Sequence, residues 1–423
     1  MKKYFLVVIL LILTFLSRAQ DTDSTNNAQI LFDSLLVEGI REFHNDIQIS
    51  NFQKAVNDLE KAVALQPQNA KAHYYLGYAY SRLNSKDGST LNRSRKQLCI
   101  LTSNEMQEVI RLDSTFGAEY ILSPYSKITS EWGSLALNYI IKDKSDSAKW
   151  AFKEGKRRGG FSDFLLQFYR VQLDQCSTDA ILFSYGDNNY FNLLYLQTIE
   201  NYRSNVGVVD MGLIFTPWYQ KKLLEKEIIN FTPVEKSKEG YYLVTWSDTI
   251  INIPIKNTNQ NFSWSLEAKG SNPYYLYYGD IAFRSMLTTN KFKRDIYFTY
   301  GFPKSAEYNL DYNFEDQIMI YRVNPFGKST LSTDSYNKLA LKLLDIIPLY
   351  NANSYEEFIL MNSIRQSIML RIFNDWSSTD NQDNARYLLK LLLKRLPSQK
   401  YPYSNKETEV YINSFKRIII DEY

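Results

Sequence analysis

The sequence contains few of the residues on which thiol and metal chemistry depend. Only two of its 423 residues are cysteines, Cys99 and Cys176, and two are histidines, His44 and His73. Two cysteines cannot build a disulfide framework or a thiolate zinc cluster. Two histidines leave few ways to build a serine or cysteine hydrolase relay, although carboxylate or tyrosine chemistry remains open. We therefore predict no metal site and name no catalytic residue.

Apolar and aromatic residues, in contrast, are abundant. They make up 44% and 15% of the chain, with 33 tyrosines and 24 phenylalanines. This composition excludes a largely disordered or fibrous protein. At roughly 150 residues per domain, the length predicts two or three folding units.

The first residues have the pattern of a secretory signal peptide. Lys2 and Lys3 precede an apolar run from Phe5 to Leu16, and Ser17-Arg18-Ala19 then offers a cleavage site. A membrane-spanning helix needs about 20 apolar residues, so an uncleaved anchor is the weaker alternative. No cysteine follows the run to accept a lipid. We predict a signal peptide over residues 1–19 and a periplasmic or secreted protein with no membrane span after signal removal.

The charge balance argues against a nucleic-acid partner. Residues 1–20 hold three basic residues and no acid, so their removal leaves 46 basic against 46 acidic residues. A neutral chain lacks the basic footprint of nucleic-acid binding.

Between about residues 28 and 160, apolar residues recur with a period of about 34 residues. The clearest unit has small and large residues at helical spacing, ended by a proline: Ala55, Leu59, Ala62, Pro67, then Leu76, Gly77 and Tyr80. Trp132, Leu135, Ala136, Ala148, Phe152 and Gly155 repeat the spacing. This pattern resembles the tetratricopeptide repeat, in which alanine and glycine allow the two helices of a hairpin to pack closely.

The repeat resemblance implies binding of a partner. Such repeats bury a continuous core by stacking and leave a concave face for an extended peptide or a partner protein. We name His73, Tyr74, Tyr80 and Trp132 as candidate partner-binding residues. The alternative is that these helices only support the next domain.

From about 165 to 325 the pattern indicates an α/β segment. A buried strand over 179–185, the loop Gly186–Asn189, a helix over 190–202 and a second strand over 206–211 form a βαβ unit with parallel strands. Such sheets place ligands at the carboxyl ends of their strands. The loop lacks the spaced glycines of a dinucleotide fingerprint, so we predict no cofactor.

The loop and its helix read Gly-Asp-Asn-Asn-Tyr-Phe-Asn-Leu-Leu-Tyr-Leu-Gln over residues 186–197. With the blocks 208–213, 217–219 and 289–298, this stretch resembles the soluble C-terminal region of bacterial multi-spanning proteins related to protein O-mannosyltransferases. The resemblance extends from about 165 to 423. The membrane-embedded part in which that family would transfer sugar has no counterpart here, so the transferase activity does not carry over.

Four polar residues are candidate ligand-binding residues: Asp187, Asn188, Asn189 and Asp210. Asn189 stands where the family has a second aspartate, which puts any role of that carboxylate in doubt. The loop could bind a sugar or a peptide, but aspartate after a strand more often caps the following helix. We favour the cap.

Two further patterns complete the chain. Residues 241–246 and 249–255 flank the short turn Ser247-Asp248 and predict a β-hairpin. Four helices are predicted at 334–345, 355–373, 381–395 and 406–421.

The predicted fold class is α plus α/β. Helical hairpins of the tetratricopeptide type (28–160) precede a Rossmann-like α/β domain with a β-hairpin (165–325) and a repeat-like C-terminal helical bundle (330–423). The predicted function is an exported, non-catalytic scaffold or adaptor that binds a protein or peptide. The alternative is a glycan-binding or glycan-processing accessory of protein glycosylation that uses the Gly186–Asn189 loop.

Overall fold

The structure, a computed structural model, describes residues 26–45, 51–233, 243–347 and 354–421. The predicted signal peptide and the first residues of the predicted hairpin lie outside these ranges. The chain forms two compact units. The first contains the described residues up to 87 and residues 93–116, and the second contains residues 88–92 and the chain from 117 onward.

The first unit consists of helices. They are α1 (26–44), α2 (Phe52–Leu65), α3 (Ala70–Asn84) and α4 (Lys96–Leu112). Asn51 and Asn69 start α2 and α3, because each side chain accepts a hydrogen bond from a backbone N–H of the first turn. The predicted helical repeats are therefore present in this part of the chain.

Glycines mark the places where these helices approach most closely. A Cβ atom on Gly39 of α1 would lie 2.6 Å from Leu59 Cγ of α2. One on Gly77 of α3 would lie 2.7 Å from Met106 Cε of α4. The small residues at these crossings are thus required by packing, as the repeat pattern predicts.

The second unit begins with helices α5 (Pro124–Ile141), α6 (Ser145–Arg157) and α7 (Asp163–Gln175). The first two form a tight hairpin: a Cβ on Gly155 of α6 would lie 2.6 Å from Trp132 Cβ of α5. Trp132 of α5 and Phe152 of α6 are fully buried. The hairpin thus has the close crossing that the repeat spacing predicts.

A mixed five-stranded sheet follows. Its strands are β1 (Ile181–Ser184), β2 (Gly207–Asp210), β7 (Ile296–Thr299), β8 (Phe314–Asp316) and β9 (Ile320–Val323), in the order β2-β1-β7-β9-β8. β1 is parallel to both β2 and β7, whereas β9 is antiparallel to β7 and β8. Helices α8 (Asp187–Glu200), α9 (Pro217–Glu225) and α10 (Tyr278–Asn290) connect the strands. The predicted βαβ unit is confirmed.

The predicted pairing of the hairpin is wrong. β3 (Leu243–Thr245) pairs with β6 (Tyr275–Tyr277), and β4 (Thr249–Pro254) pairs with β5 (Asn261–Leu266). The β4–β5 turn contains Asn257 with a φ of 62°, a left-handed conformation that asparagine tolerates. In β5 every second residue is buried, which fixes the face that it presents to the core.

The C-terminal helices are α11 (Thr333–Ile346), α12 (Tyr355–Trp376), α13 (Gln382–Arg395) and α14 (Lys406–Lys416), as predicted. Arg365 of α12 is fully buried and holds the connection between α13 and α14. Its guanidinium donates to the carbonyl oxygen of Tyr401 (2.7 Å) and to Asn362 Oδ1 (2.6 Å), and lies over the ring of Tyr403. None of the helices in the described ranges combines the length and apolarity needed to cross a membrane.

Gly133 of α5 offers a test of the packing of α5 on α8. A Cβ atom there would overlap the ring of Phe191. Alanine normally stabilises a helix by up to about 1 kcal/mol relative to glycine. Because overpacking costs about 1–3 kcal/mol, we expect Gly133→Ala to lower the free energy of unfolding in chemical denaturation.

Gly117→Ala is the matched control. Its Cβ would come no closer than 3.9 Å to Tyr355, which is an ordinary contact. It should change the free energy of unfolding by less than about 0.5 kcal/mol. A Gly133→Ala protein as stable as the Gly117→Ala protein would contradict this packing.

Candidate functional site

The carboxyl ends of β1 and β2 bring two of the predicted ligand residues into one neighbourhood. Ser184, the last residue of β1, is paired in register with Asp210, the last residue of β2. Asp187 follows β1 after a sharp turn at Gly186, whose φ of 86° favours glycine. This is the edge at which parallel sheets position ligands.

Asp210 is buried, with 5% of its surface exposed. Its Oδ1 accepts a hydrogen bond from the backbone N–H of Leu213 at 2.9 Å, and the N–H groups of Gly212 and Gly186 also face the carboxyl group. Burial raises the pKa of Asp210 to about 7, and the negative charge of Asp187 adds to the increase. The hydrogen bonds from the backbone N–H groups lower the pKa but do not cancel the effect of burial.

Two tyrosines extend this polar cluster. The Tyr219 hydroxyl accepts a hydrogen bond from the backbone N–H of Asp210 at 2.9 Å. It donates in turn to the Tyr190 hydroxyl at 3.2 Å. Burial raises the pKa of both tyrosines, so they are neutral hydrogen-bonding groups at ordinary pH.

The sequence analysis predicts a loop over residues 186–189 and a helix from 190, but the helix α8 already begins at Asp187. The side chains of its first turn are engaged within the second unit. Asp187 accepts a hydrogen bond from the Ser130 hydroxyl of α5. Asn188 donates to Ser126 Oγ of the same helix. These bonds fasten the start of α8 to α5.

Asn189 fastens the loop in two other directions. Its Oδ1 accepts a hydrogen bond from the Tyr169 hydroxyl of α7 at 2.7 Å. Its Nδ2 donates to the carbonyl oxygens of Tyr185 at 2.8 Å and Tyr300 at 3.2 Å. The first turn of α8 is therefore tied to α7 and to the residue that follows β7.

The favoured interpretation of Asp187 as a helix cap is wrong in detail. Gly186 occupies the N-cap position of α8, and no side chain caps that end. Asp187 lies in the first turn, where its negative charge interacts favourably with the helix dipole. Its carboxylate accepts its hydrogen bond from Ser130 of another helix, α5. Its role is therefore in tertiary packing as well as in the helix.

Asp187 and Asp210 do not have the arrangement of a hydrolytic pair. Such pairs need two carboxyl groups across a cleft that admits substrate. Asp210 is covered, and backbone N–H groups occupy its carboxyl group. No three acidic, histidine or cysteine side chains in the described part of the chain are placed to hold a metal ion.

The four predicted partner-binding residues are all buried. His73 Nδ1 lies 2.6 Å from Glu105 Oε2, and its Nε2 lies 3.0 Å from the Pro67 carbonyl oxygen. Burial opposes the charge of the imidazolium, but these two contacts outweigh burial and raise the pKa of His73.

The other three contribute to packing of their helices. Tyr74 contacts the rings of Tyr75, Tyr78 and Phe116. The Tyr80 hydroxyl donates to Glu60 Oε1, and Trp132 packs against Trp150. That these four residues contact a partner directly stays a prediction. Their burial does not favour it, because a buried side chain offers little surface to a partner.

Several residues of the polar cluster are absent from the sequence-based prediction. Ser184 could have been found, because the last residues of two parallel strands lie side by side. Tyr190 and Tyr219 lie in the motif blocks, but nothing in the spacing indicates their mutual hydrogen bond. Ser130 carries no signal, since 57 residues separate it from Asp187.

Two stretches of the chain match known families. Residues 47–84, which contain α2 and α3, match the TPR (tetratricopeptide) repeat. Residues 167–267, from α7 to just beyond β5, match the family described as TMEM260-associated domain 2. No curated protein and no solved structure matches the chain. The TPR match supports a role in protein interaction.

The raised pKa of Asp210 makes stability depend on pH. A carboxyl group with a raised pKa binds more protons in the folded state, so stability falls as pH rises from the ordinary value of 3.8 to about 7. Each pKa unit corresponds to about 1.4 kcal/mol. The wild-type free energy of unfolding should therefore fall by on the order of a few kcal/mol between pH 4 and pH 8. We expect this fall to be absent in Asp210→Asn, as measured by urea denaturation over the same pH range.

The matched control is Asp146→Asn, which alters an exposed aspartate in the first turn of α6. It should leave the wild-type pH dependence in place. A wild-type protein and an Asp210→Asn protein with parallel stability curves would show that Asp210 is not the group responsible.

Proposed function

We propose that this protein is an exported, non-catalytic scaffold or adaptor of the cell envelope. Its helical repeats bind a partner protein or peptide, and the sheet-containing unit supplies a second surface. The observation that carries the proposal is the TPR match over residues 47–84, on a helix pair whose close crossings require small residues.

The physical basis is the shape of stacked helix hairpins. Each hairpin buries one face against its neighbours and leaves the other for a ligand. In the first unit the small residues Ala55, Ala62, Ala72 and Ala79 are fully buried. These small residues therefore pack the helices against one another. Contact with a partner would have to come from side chains that are exposed.

Helix α1 offers such exposed side chains. Ile30 and Val37 are seven residues apart, so they lie on the same helix face, and they are 60% and 66% exposed. Leu31 beside them is also exposed. Exposed apolar residues grouped on one face are typical of interaction surfaces. We propose that this α1 face contributes to partner binding while His73, Tyr74 and Tyr80 support the helices from within.

The match of residues 167–267 supports, at a coarser level, the resemblance to O-mannosyltransferase-related proteins. We propose that the second unit is derived from the soluble part of such a protein. The hydrogen bonds of Asp187, Asn188 and Asn189 with Ser130, Ser126 and Tyr169 do not favour the glycan alternative, because they already engage these side chains within the protein. The domain limits 28–160, 165–325 and 330–423 stay predictions.

A pair of serine substitutions, one at a valine and one at an isoleucine, tests the role of the α1 face. We expect Val37→Ser combined with Ile30→Ser to weaken partner capture at least tenfold, because both side chains would leave the apolar contact. The partner is first isolated from envelope extract with the full-length mature protein, identified by mass spectrometry and purified. Affinity is then measured by calorimetry.

Val410→Ser on α14 is the matched control, since Val410 is 58% exposed in the second unit. It should bind the purified partner with wild-type affinity. A partner that binds the α1 variant and wild type equally would remove this face from the proposal. Failure to recover any specific partner would contradict the adaptor function.

Export is tested independently by determining the first residue of the mature protein. If the signal peptide is cleaved after Ala19, protein recovered from the periplasm of an expressing bacterium begins at Gln20. N-terminal sequencing of that fraction gives the result directly. Full-length protein beginning at Met1 in the cytosolic fraction would contradict export.

A further inference from the structure

A cavity of about 340 Å³ lies at the edge of the sheet, away from the Asp187–Asp210 cluster. Asp316 of β8, Lys328 of the loop after β9, and Arg371 and Asn374 of α12 contribute to its walls, with Asn381 just before α13. A water molecule occupies about 30 Å³ in the liquid, so the cavity has room for a small organic molecule.

One wall of the cavity is held in a fixed geometry. Arg371 Nε lies 2.9 Å and 3.0 Å from the two oxygens of Asp375, and its Nη2 donates to Thr333. Asn384 donates to the same carboxylate at 2.6 Å, and the guanidinium lies over the ring of Tyr336. Arg371 and Asp375 neutralise each other, so neither is the principal charge offered to a ligand.

Other polar side chains of the cavity have hydrogen-bonding capacity left over. Asp316 accepts one hydrogen bond, from the N–H of Ile318 at 2.9 Å, and forms no ion pair with any described residue. Within the same ranges, Lys328 has no acidic partner, and the side-chain amides of Asn374 and Asn381 have no protein partner. The cavity thus combines an unpaired carboxyl group, an unpaired ammonium group and two amides.

Burial raises the pKa of Asp316, against the Ile318 N–H and the charge of Arg371, which lower it. The carboxylate is therefore incompletely compensated by its surroundings. A cation placed beside it would offset part of the free energy lost to desolvation.

We propose that this cavity binds a small zwitterion, such as a free amino acid or a dipeptide. The ligand ammonium pairs with Asp316, and the ligand carboxylate binds Lys328 and the asparagine amides. A sugar fits less well, because Tyr336 and Phe314 are 2% and 8% exposed and leave little ring face open for stacking.

Calorimetry on the full-length mature protein tests the proposal. The probes are L-alanine and glycylglycine, with ethylamine and propionate as analogues that each lack one charge of alanine. Glucose and mannose serve as neutral sugars. We expect a zwitterion to bind and each single-charge analogue to bind at least tenfold more weakly.

Two variants locate the binding in the cavity. Lys328→Gln and Asp316→Asn should each weaken zwitterion binding at least tenfold. Lys338→Gln, a change of an exposed lysine on α11, is the matched control and should bind as wild type. Lys328 is exposed, so its variant remains informative even if Asp316→Asn fails to fold.

Three results would overturn the proposal. The first is the absence of heat on titration of either zwitterion at millimolar concentration. The second is unchanged affinity in the folded Lys328→Gln protein. The third is binding of glucose or mannose as strong as that of the zwitterions, which would assign the cavity to neutral sugars.

Discussion

The second unit depends on the contacts that hold the first turn of α8 against α5 and α7, at the carboxyl edge of the sheet. Helix α8 follows β1, which lies between β2 and β7 in the sheet, and a close contact with Gly133 brings it against α5. The first turn of α8 is then tied to α5 by Asp187 and Asn188 and to α7 by Asn189. Residues at the edge where an enzyme of this topology would bind substrate are here used to hold helices.

The same use of polar groups extends through the stretch that matches TMEM260-associated domain 2. The carboxyl group of Asp210 receives backbone N–H groups on its covered side, and the neighbouring tyrosines complete the network. Hydrogen bonds buried in this way fix a unique arrangement of the elements around them. These residues therefore specify the junction of helices and sheet.

Local sequence patterns predicted the helices and strands. Strand pairing and the contacts between residues distant in sequence depend on the tertiary fold. Glycine and alanine spacing predicted the helix crossings at Gly77 and Gly155, and buried apolar runs predicted β1 and β2. The pairing of β4 was mistaken, because Ser247-Asp248 has turn composition and the turn at Asn257 was not recognised. Ser130 could not be found from the sequence, since only folding brings it to Asp187. The burial of His73 and Trp132 likewise follows from tertiary packing.

Arg365 carries a consequence for the C-terminal helices. No acidic side chain in the described ranges pairs with this buried cation, whose charge is balanced by carbonyl dipoles of Leu396, Tyr401 and Pro402 and by the Tyr403 ring. Detachment of that short segment would leave the guanidinium with Asn362 Oδ1 as its remaining acceptor among those named above, at a free-energy cost. The tail and α12 are therefore expected to melt as one cooperative block, with no early fraying of the tail alone.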